Sequence, residues 1–273
     1  MINQILKLLF ITAILTTVFI NCFGQVDPWI TNKTFKDSRL KGRVDSCVTN
    51  IVFISYEDTT AKKQLNAKIV EYYNKHNEII KKVDYMFNAN PDTAEVMKRP
   101  LIATYNYNKK GDFEKMIYQK SKPISKDIFT YADDKTAGIL KQYNLPGNKL
   151  SGITKIKLNA RGDIEESVEY RDTAYNAKPF RKINYEYNQN GFLTKYTASY
   201  THTTRTQQIF YTYDQDNNMI QVRRSGDPEP GIEVYTYPKF DKLHNWLEED
   251  MFVDGRLIYV FERQIVYHKW PTR

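Results

Sequence analysis

The chain has 273 residues, 40 of them Lys or Arg and 32 Asp or Glu, for a formal net charge of +8. The basic residues fall in short pairs such as Lys62–Lys63, Lys109–Lys110 and Arg223–Arg224, never in the long block of a nucleic-acid arm. Only two cysteines are present, which excludes a disulfide-stapled scaffold, and a chain this long can bury a core without one.

The first element is an uncharged apolar run, Leu8 to Ile20, preceded by Lys7. As a helix it would rise about 20 Å, short of the ~30 Å hydrocarbon core. It therefore reads as a signal peptide over residues 1–24 rather than a membrane span. Cys22 and Gly24 supply the small residues for cleavage between Gly24 and Gln25. Lipidation at Cys22 is the alternative, and Asn21 is a poor residue to precede a lipidated cysteine. Residues 25–45 read as an extended leader, and 46–273 as a single β domain. The chain is expected to be exported to the periplasm, the cell surface or the medium.

Cys47 opens the domain in an alternating stretch, with Thr49, Ile51 and Phe53 on its face, and reads as a small hydrophobe packed in a strand. Tyrosine then takes over: 21 of 273 residues, many of them two apart, as strand alternation requires. Tyr185-Glu186-Tyr187-Asn188-Gln189-Asn190-Gly191-Phe192-Leu193 shows the frame. A strand ends in Tyr; Asn, two polar residues and Gly follow, and a new apolar run begins. The frame recurs at Tyr107 and Tyr213, and more weakly at Tyr73, Leu158 and Phe240. A copy with a longer turn fits at Tyr131, which makes the spacings 34, 24, 27, 29, 26 and 27 residues. Such a period marks a repeat architecture of about seven hairpin units. Asn or Asp can hydrogen-bond its own backbone to start each reversal, and Gly or Asn can take the positive φ that closes it. Asp254-Gly255 is the strongest two-residue hairpin signal near the end.

Within Lys182–Tyr187, Lys182, Asn184 and Glu186 point one way and Ile183, Tyr185 and Tyr187 the other. No long segment of helical period is available to cover the apolar face. The expected fold is all-β, an antiparallel meander of repeated hairpins curled into a barrel-like roll or split into two layers.

The frame Tyr-x-Tyr-Asp/Asn-x-x-Gly-x-Leu resembles the YD repeat of Rhs-type proteins, over roughly Ser46 to Tyr267. The stretch Asp241 to Trp246 resembles the turn variant of short exported members. The resemblance implies a β architecture and an envelope setting. It carries over no functional residues, and seven copies are too few for the large shell of full-length members.

Chemistry-bearing patterns are sparse. Asp214-Gln215-Asp216-Asn217-Asn218 begins like a calcium loop, but Met219 and Ser225 stand where Gly and Glu are needed. His76, His202, His244 and His268 have no metal spacing. Neighbouring acids, Glu165-Glu166 and Glu248-Glu249-Asp250, are expected to point to opposite faces of their strands, which prevents a catalytic carboxyl pair. No catalytic residue and no cofactor is expected. Asp-Thr loops at Thr59, Thr93 and Thr173 resemble bacterial O-glycan acceptors, although Asp-Thr is also ordinary loop chemistry.

The reading is thus a non-enzymatic exported module that binds a glycan, an envelope component or a protein. A hydrolase with a spatially assembled site and an accessory or immunity-like partner of a toxin system are the alternatives. Intact mass of the protein from its native host tests the processing. A bare chain starting at Gln25 is expected; a lipid increment would place the anchor on Cys22, and hexose increments would mark the threonines.

Overall fold

The computed structural model describes residues 40–57, 60–87, 100–171, 178–226 and 231–268. The signal segment, the leader before Leu40, and Thr59, Thr93 and Thr173 lie outside the described residues. The strands are β1 (Val44–Glu57), β2 (Thr60–Tyr73), β3 (Ile79–Met86), β4 (Leu101–Tyr107), β5 (Phe113–Gln119) and β6 (Lys122–Tyr131). Next come β7 (Ala137–Asn144), β8 (Lys149–Leu158), β9 (Ile164–Tyr170), β10 (Arg181–Tyr187) and β11 (Leu193–Tyr200). The last are β12 (Thr206–Tyr213), β13 (Met219–Gly226), β14 (Gly231–Phe240), β15 (Trp246–Val253) and β16 (Arg256–Tyr267). Each pairs antiparallel with its chain neighbours, and β1 pairs with β16 from Val44↔Tyr267 to Phe53↔Tyr259. The meander is therefore a closed barrel of sixteen strands. Of the two expected forms, the curled one is realised. β1 begins at Val44.

The seven repeat frames become the seven tight turns that join β2 to β3, β4 to β5, and so on to β15. In six of them an Asn or Asp makes the reversal. Asn108 is representative: its Oδ1 accepts N–H bonds from Lys110 and Asp112 at 2.9 and 3.0 Å. Asn74, Asn159, Asn188, Asp214 and Asp241 do the same within their turns. The residue three places on always has positive φ, from 58° at Asn77 and His244 to 91° at Gly111. The Tyr131 copy is a longer turn, with Ala132 N–H bonded to Ala137 and positive φ at Lys135. At the opposite end of the barrel, Asp254-Gly255 closes a two-residue hairpin with both φ positive. Lys120-Ser121 closes another in the same way, although neither residue type favours that region.

The marker tyrosines have a second task. Tyr107 donates its hydroxyl to the carbonyl of Ile79, Tyr187 to Ile164, and Tyr213 to Leu193, at 2.7–3.0 Å. Tyr237 repeats the bond to Met219. In each case the acceptor opens the second strand of the preceding hairpin, so the phenol ties one repeat to the last. A phenylalanine would pack equally well and could not make this bond.

The seam uses the same turns. The Asn245 side chain holds Lys41 through both its oxygen and its nitrogen, and Asn77 accepts from the Val44 N–H. The first and last repeats thus clamp the entering chain where β1 meets β16. The inner face of the barrel holds two apolar clusters, the first at the turn end and the second reaching from the middle toward the loop end. One centres on Phe113, Phe129, Leu140 and Ile164, the other on Ile51, Met251, Tyr259 and Phe261. Cys47 lies buried on this inner face, beside Thr49, with its thiol pushed up by burial.

Replacing Tyr187 or Tyr213 with Phe should cost about 1 kcal/mol each, the net worth of one hydrogen bond. Replacing the outward Thr212 with Ala should change stability by less than about 0.5 kcal/mol. Urea unfolding midpoints of the three variants provide the comparison.

Candidate functional site: the inner wall

Two walls are available to a partner, and their chemistry differs. The outer wall carries Lys126, Lys141, Lys155, Arg223 and Glu262 near the middle of their strands, with Lys182 and Lys195 closer to the ends. Lys126 pairs with Glu114, Lys195 with Glu186, and Lys182 with Glu166, at 2.7–2.9 Å. A Lys or Arg facing lipid at mid-bilayer costs about 2–4 kcal/mol, and these mid-strand bases lie on β6, β7, β8 and β13. Strands β4, β5, β9 and β10 are also only seven residues long, below the ~9–11 needed to span a bilayer. The outer wall thus mixes these charges with exposed apolar side chains such as Ile139, Ile232 and Val234. No helix among the described residues is long and apolar enough to cross a membrane.

The inner wall carries aromatic rings and charged side chains along most of its length. Alternation places Glu71, Lys82, Asp84, Lys115, Asp127, Glu169, Arg181, Arg224, Glu233 and Arg263 on it. Most of these charges are matched. Arg181 meets Glu169 at 2.5 Å, Lys115 meets Asp127 at 3.2 Å, and Lys82 meets Asp84 at 3.3 Å. Arg224 binds Glu233, which also accepts the hydroxyl of Tyr235. Burial by itself would lower the Arg181 guanidinium; the Glu169 carboxylate outweighs it and holds Arg181 above its usual value. The same balance, with Glu233, holds Arg224 up. Asp84 is raised by burial, against the opposing pull of Lys82.

Tyrosines stand between these pairs. Tyr185 and Tyr196 face each other across β10 and β11, with ring centroids 5.8 Å apart. Burial pushes Tyr185 up to about 12 and raises Tyr196, Tyr211 and Tyr235 as well. All four are therefore neutral donors at physiological pH. The inner wall continues to the loop-side rim through Gln119, Gln142, Asn144, Tyr200 and Gln207. Gln119, Gln142 and Asn144 are exposed, and Tyr200 and Gln207 half-buried.

The residues singled out by sequence fall elsewhere. Asp214 spends both carboxylate oxygens on its own turn, on the N–H groups of Asp216 and Asn218 and the Asn218 amide. His76 and His244 sit in turns, His202 in the loop after β11, and His268 next to Asp45 at 3.5 Å. No group of three or more potential metal ligands gathers among the described residues. Glu165 and Glu166 do not point to opposite faces as expected. A register shift beside Leu158 leaves both outside, bonded to Lys157 and Lys182. Sequence reasoning missed the inner charges, because Arg181 and Arg224 find their carboxylates on the neighbouring strand, across loops of different length.

No family model matches the chain, and no curated protein matches it. Solved structures do. A porin-like protein from Bacteroides uniformis is 12% identical, with 82% of this chain and 98% of that chain covered and a TM-score of 0.55. The likeness is one of fold. A porin-like protein from Bacteroides vulgatus, 11% identical over 83% of this chain and 99% of its own, has a TM-score of 0.34, too low to carry an argument.

The raised phenols give a signed pH dependence. An unfolded tyrosine ionises near ~10, while folded Tyr185 holds its proton to about 12. Stability from this site is complete below ~pH 10 and is lost as pH rises toward 12, at about 1.4 kcal/mol per pH unit for each such phenol. Urea midpoints at pH 9, 10 and 11 should fall accordingly. Phenolate absorbance should develop for these residues only as the chain unfolds.

Proposed function

We propose that this chain is an exported, non-enzymatic module of the cell envelope, and that the loop-side mouth of its barrel binds a neutral, hydroxyl-rich ligand, a glycan. The observation that carries the reading is the pairing of charge on the inner wall: at the loop-side end Arg181 with Glu169 and Arg224 with Glu233, leaving a surface rich in hydrogen-bonding groups and poor in net charge. Such a surface favours hydroxyls over a polyanion. Tyr200 adds a ring on which a sugar can stack, and Gln119, Gln142, Asn144 and Gln207 add amide donors and acceptors around the rim.

Several features support the envelope setting. The N-terminal apolar segment reads as an export signal, the repeat resembles the YD repeats of surface proteins, and the fold is similar to that of a protein described as porin-like. The charged outer wall favours a barrel in an aqueous compartment over one embedded in lipid. Four of the inner acids favour binding over hydrolysis: Asp84, Asp127, Glu169 and Glu233 each face a Lys or Arg, whereas a glycosidase pair needs two carboxyls converging on one bond.

The test is titration calorimetry of the exported protein against a panel of neutral cell-wall and capsular oligosaccharides. Binding of at least one is expected, weakened about five- to tenfold by Tyr200→Ala or Gln207→Ala and unchanged by the outward Lys182→Ala. A panel without a binder, or a binder indifferent to the two rim variants, would remove the reading.

A further inference from the structure

The turn-side mouth has a different chemistry. Among the described inner bases, Lys82, Lys115, Arg181 and Arg224 each sit against a carboxylate, and Arg263 has none. Its guanidinium lies flat on the Trp246 ring, with the central carbon 3.3 Å from the ring centroid. Its Nε is buried and meets no hydrogen-bond partner among the described residues. Arg263 borders a hollow of about 140 Å³ that is also lined by Leu40, Lys41, Phe192, Asn217 and Trp246. A stacked guanidinium cannot use its face for anything else, and its in-plane N–H groups remain for an acceptor in the hollow.

We propose that this hollow binds the carboxylate of an acidic sugar. A planar guanidinium edge matches the two oxygens of a carboxylate, and desolvation on the tryptophan strengthens the bond. Lys41, exposed at the rim, adds a second positive charge. Phe192, Trp246 and Leu40 offer the apolar surface that a sugar ring covers, and Asn217 offers an amide to its hydroxyls. A phosphate dianion fits less well, since Asp216 stands on the same rim and opposes a doubly charged ligand. This site is at the other end of the barrel from the glycan-binding mouth proposed above and does not depend on it.

The experiment titrates the full exported protein with digalacturonate, with its uncharged methyl ester, and with inorganic phosphate. The acid should bind at least tenfold more tightly than the ester, with an affinity that falls as salt rises. Arg263→Gln should abolish the preference, and Lys41→Glu should weaken acid binding several-fold while leaving the ester unaffected. Equal binding of acid and ester, a preference that survives Arg263→Gln, or Arg263-dependent binding of phosphate without digalacturonate would each overturn the proposal. Should Arg263→Gln fail to fold, as judged by its melting curve, Lys41→Glu carries the test, because its side chain is exposed; undiminished acid binding there overturns the proposal as well.

Discussion

Closure of the sheet is the constraint on which the rest depends. Each repeat produces two strands with one aromatic face and one polar face, and no helix is present among the described residues to cover the aromatic side. An open meander of this length would leave that face wet and two edges unpaired. Pairing β1 with β16 removes both defects together. The clamp of Lys41 by Asn245 and of Val44 by Asn77 fixes the seam, using turn residues from the two ends of the repeat array. The phenol-to-carbonyl bonds then tie each hairpin to the one before it.

A barrel of sixteen strands encloses more space than one layer of side chains can fill. The sequence meets this in two ways along the axis. Toward the turns, rings and branched side chains pack against one another, as where Phe113 and Phe129 stack 5.5 Å apart. Elsewhere the wall carries charges, most of them neutralised in place by a partner on the same or an adjacent strand. Leaving such a charge unpaired would cost several kcal/mol, which is why Arg263, stacked on Trp246 without a carboxylate, stands apart from the other inner bases.

A charged outside and a polar, tyrosine-bearing inside are combined here on a fold similar to that of a porin-like protein, an architecture that can stand in water or in lipid. The same meander can serve either medium. What differs is which side chains alternate outward, and here lysines and glutamates do so in ion pairs across neighbouring strands.

The sequence by itself determined the repeat, its seven tight turns and the shared face of Ile183, Tyr185 and Tyr187. These are local matters: an Asn or Asp bonding its own turn, a Gly or Asn at positive φ, and alternation every second residue act within about ten residues. The Lys120-Ser121 hairpin escaped because nothing in those two side chains favours its conformation, and the register between strands imposes it. Tertiary structure alone decided that the sheet closes, since Phe53 and Tyr259 are some two hundred positions apart and no local signal joins them. It also decided which charges share the inner wall. Glu169 meets Arg181 and Glu233 meets Arg224 only once register is set, and a one-residue slip would have turned every one of them outward.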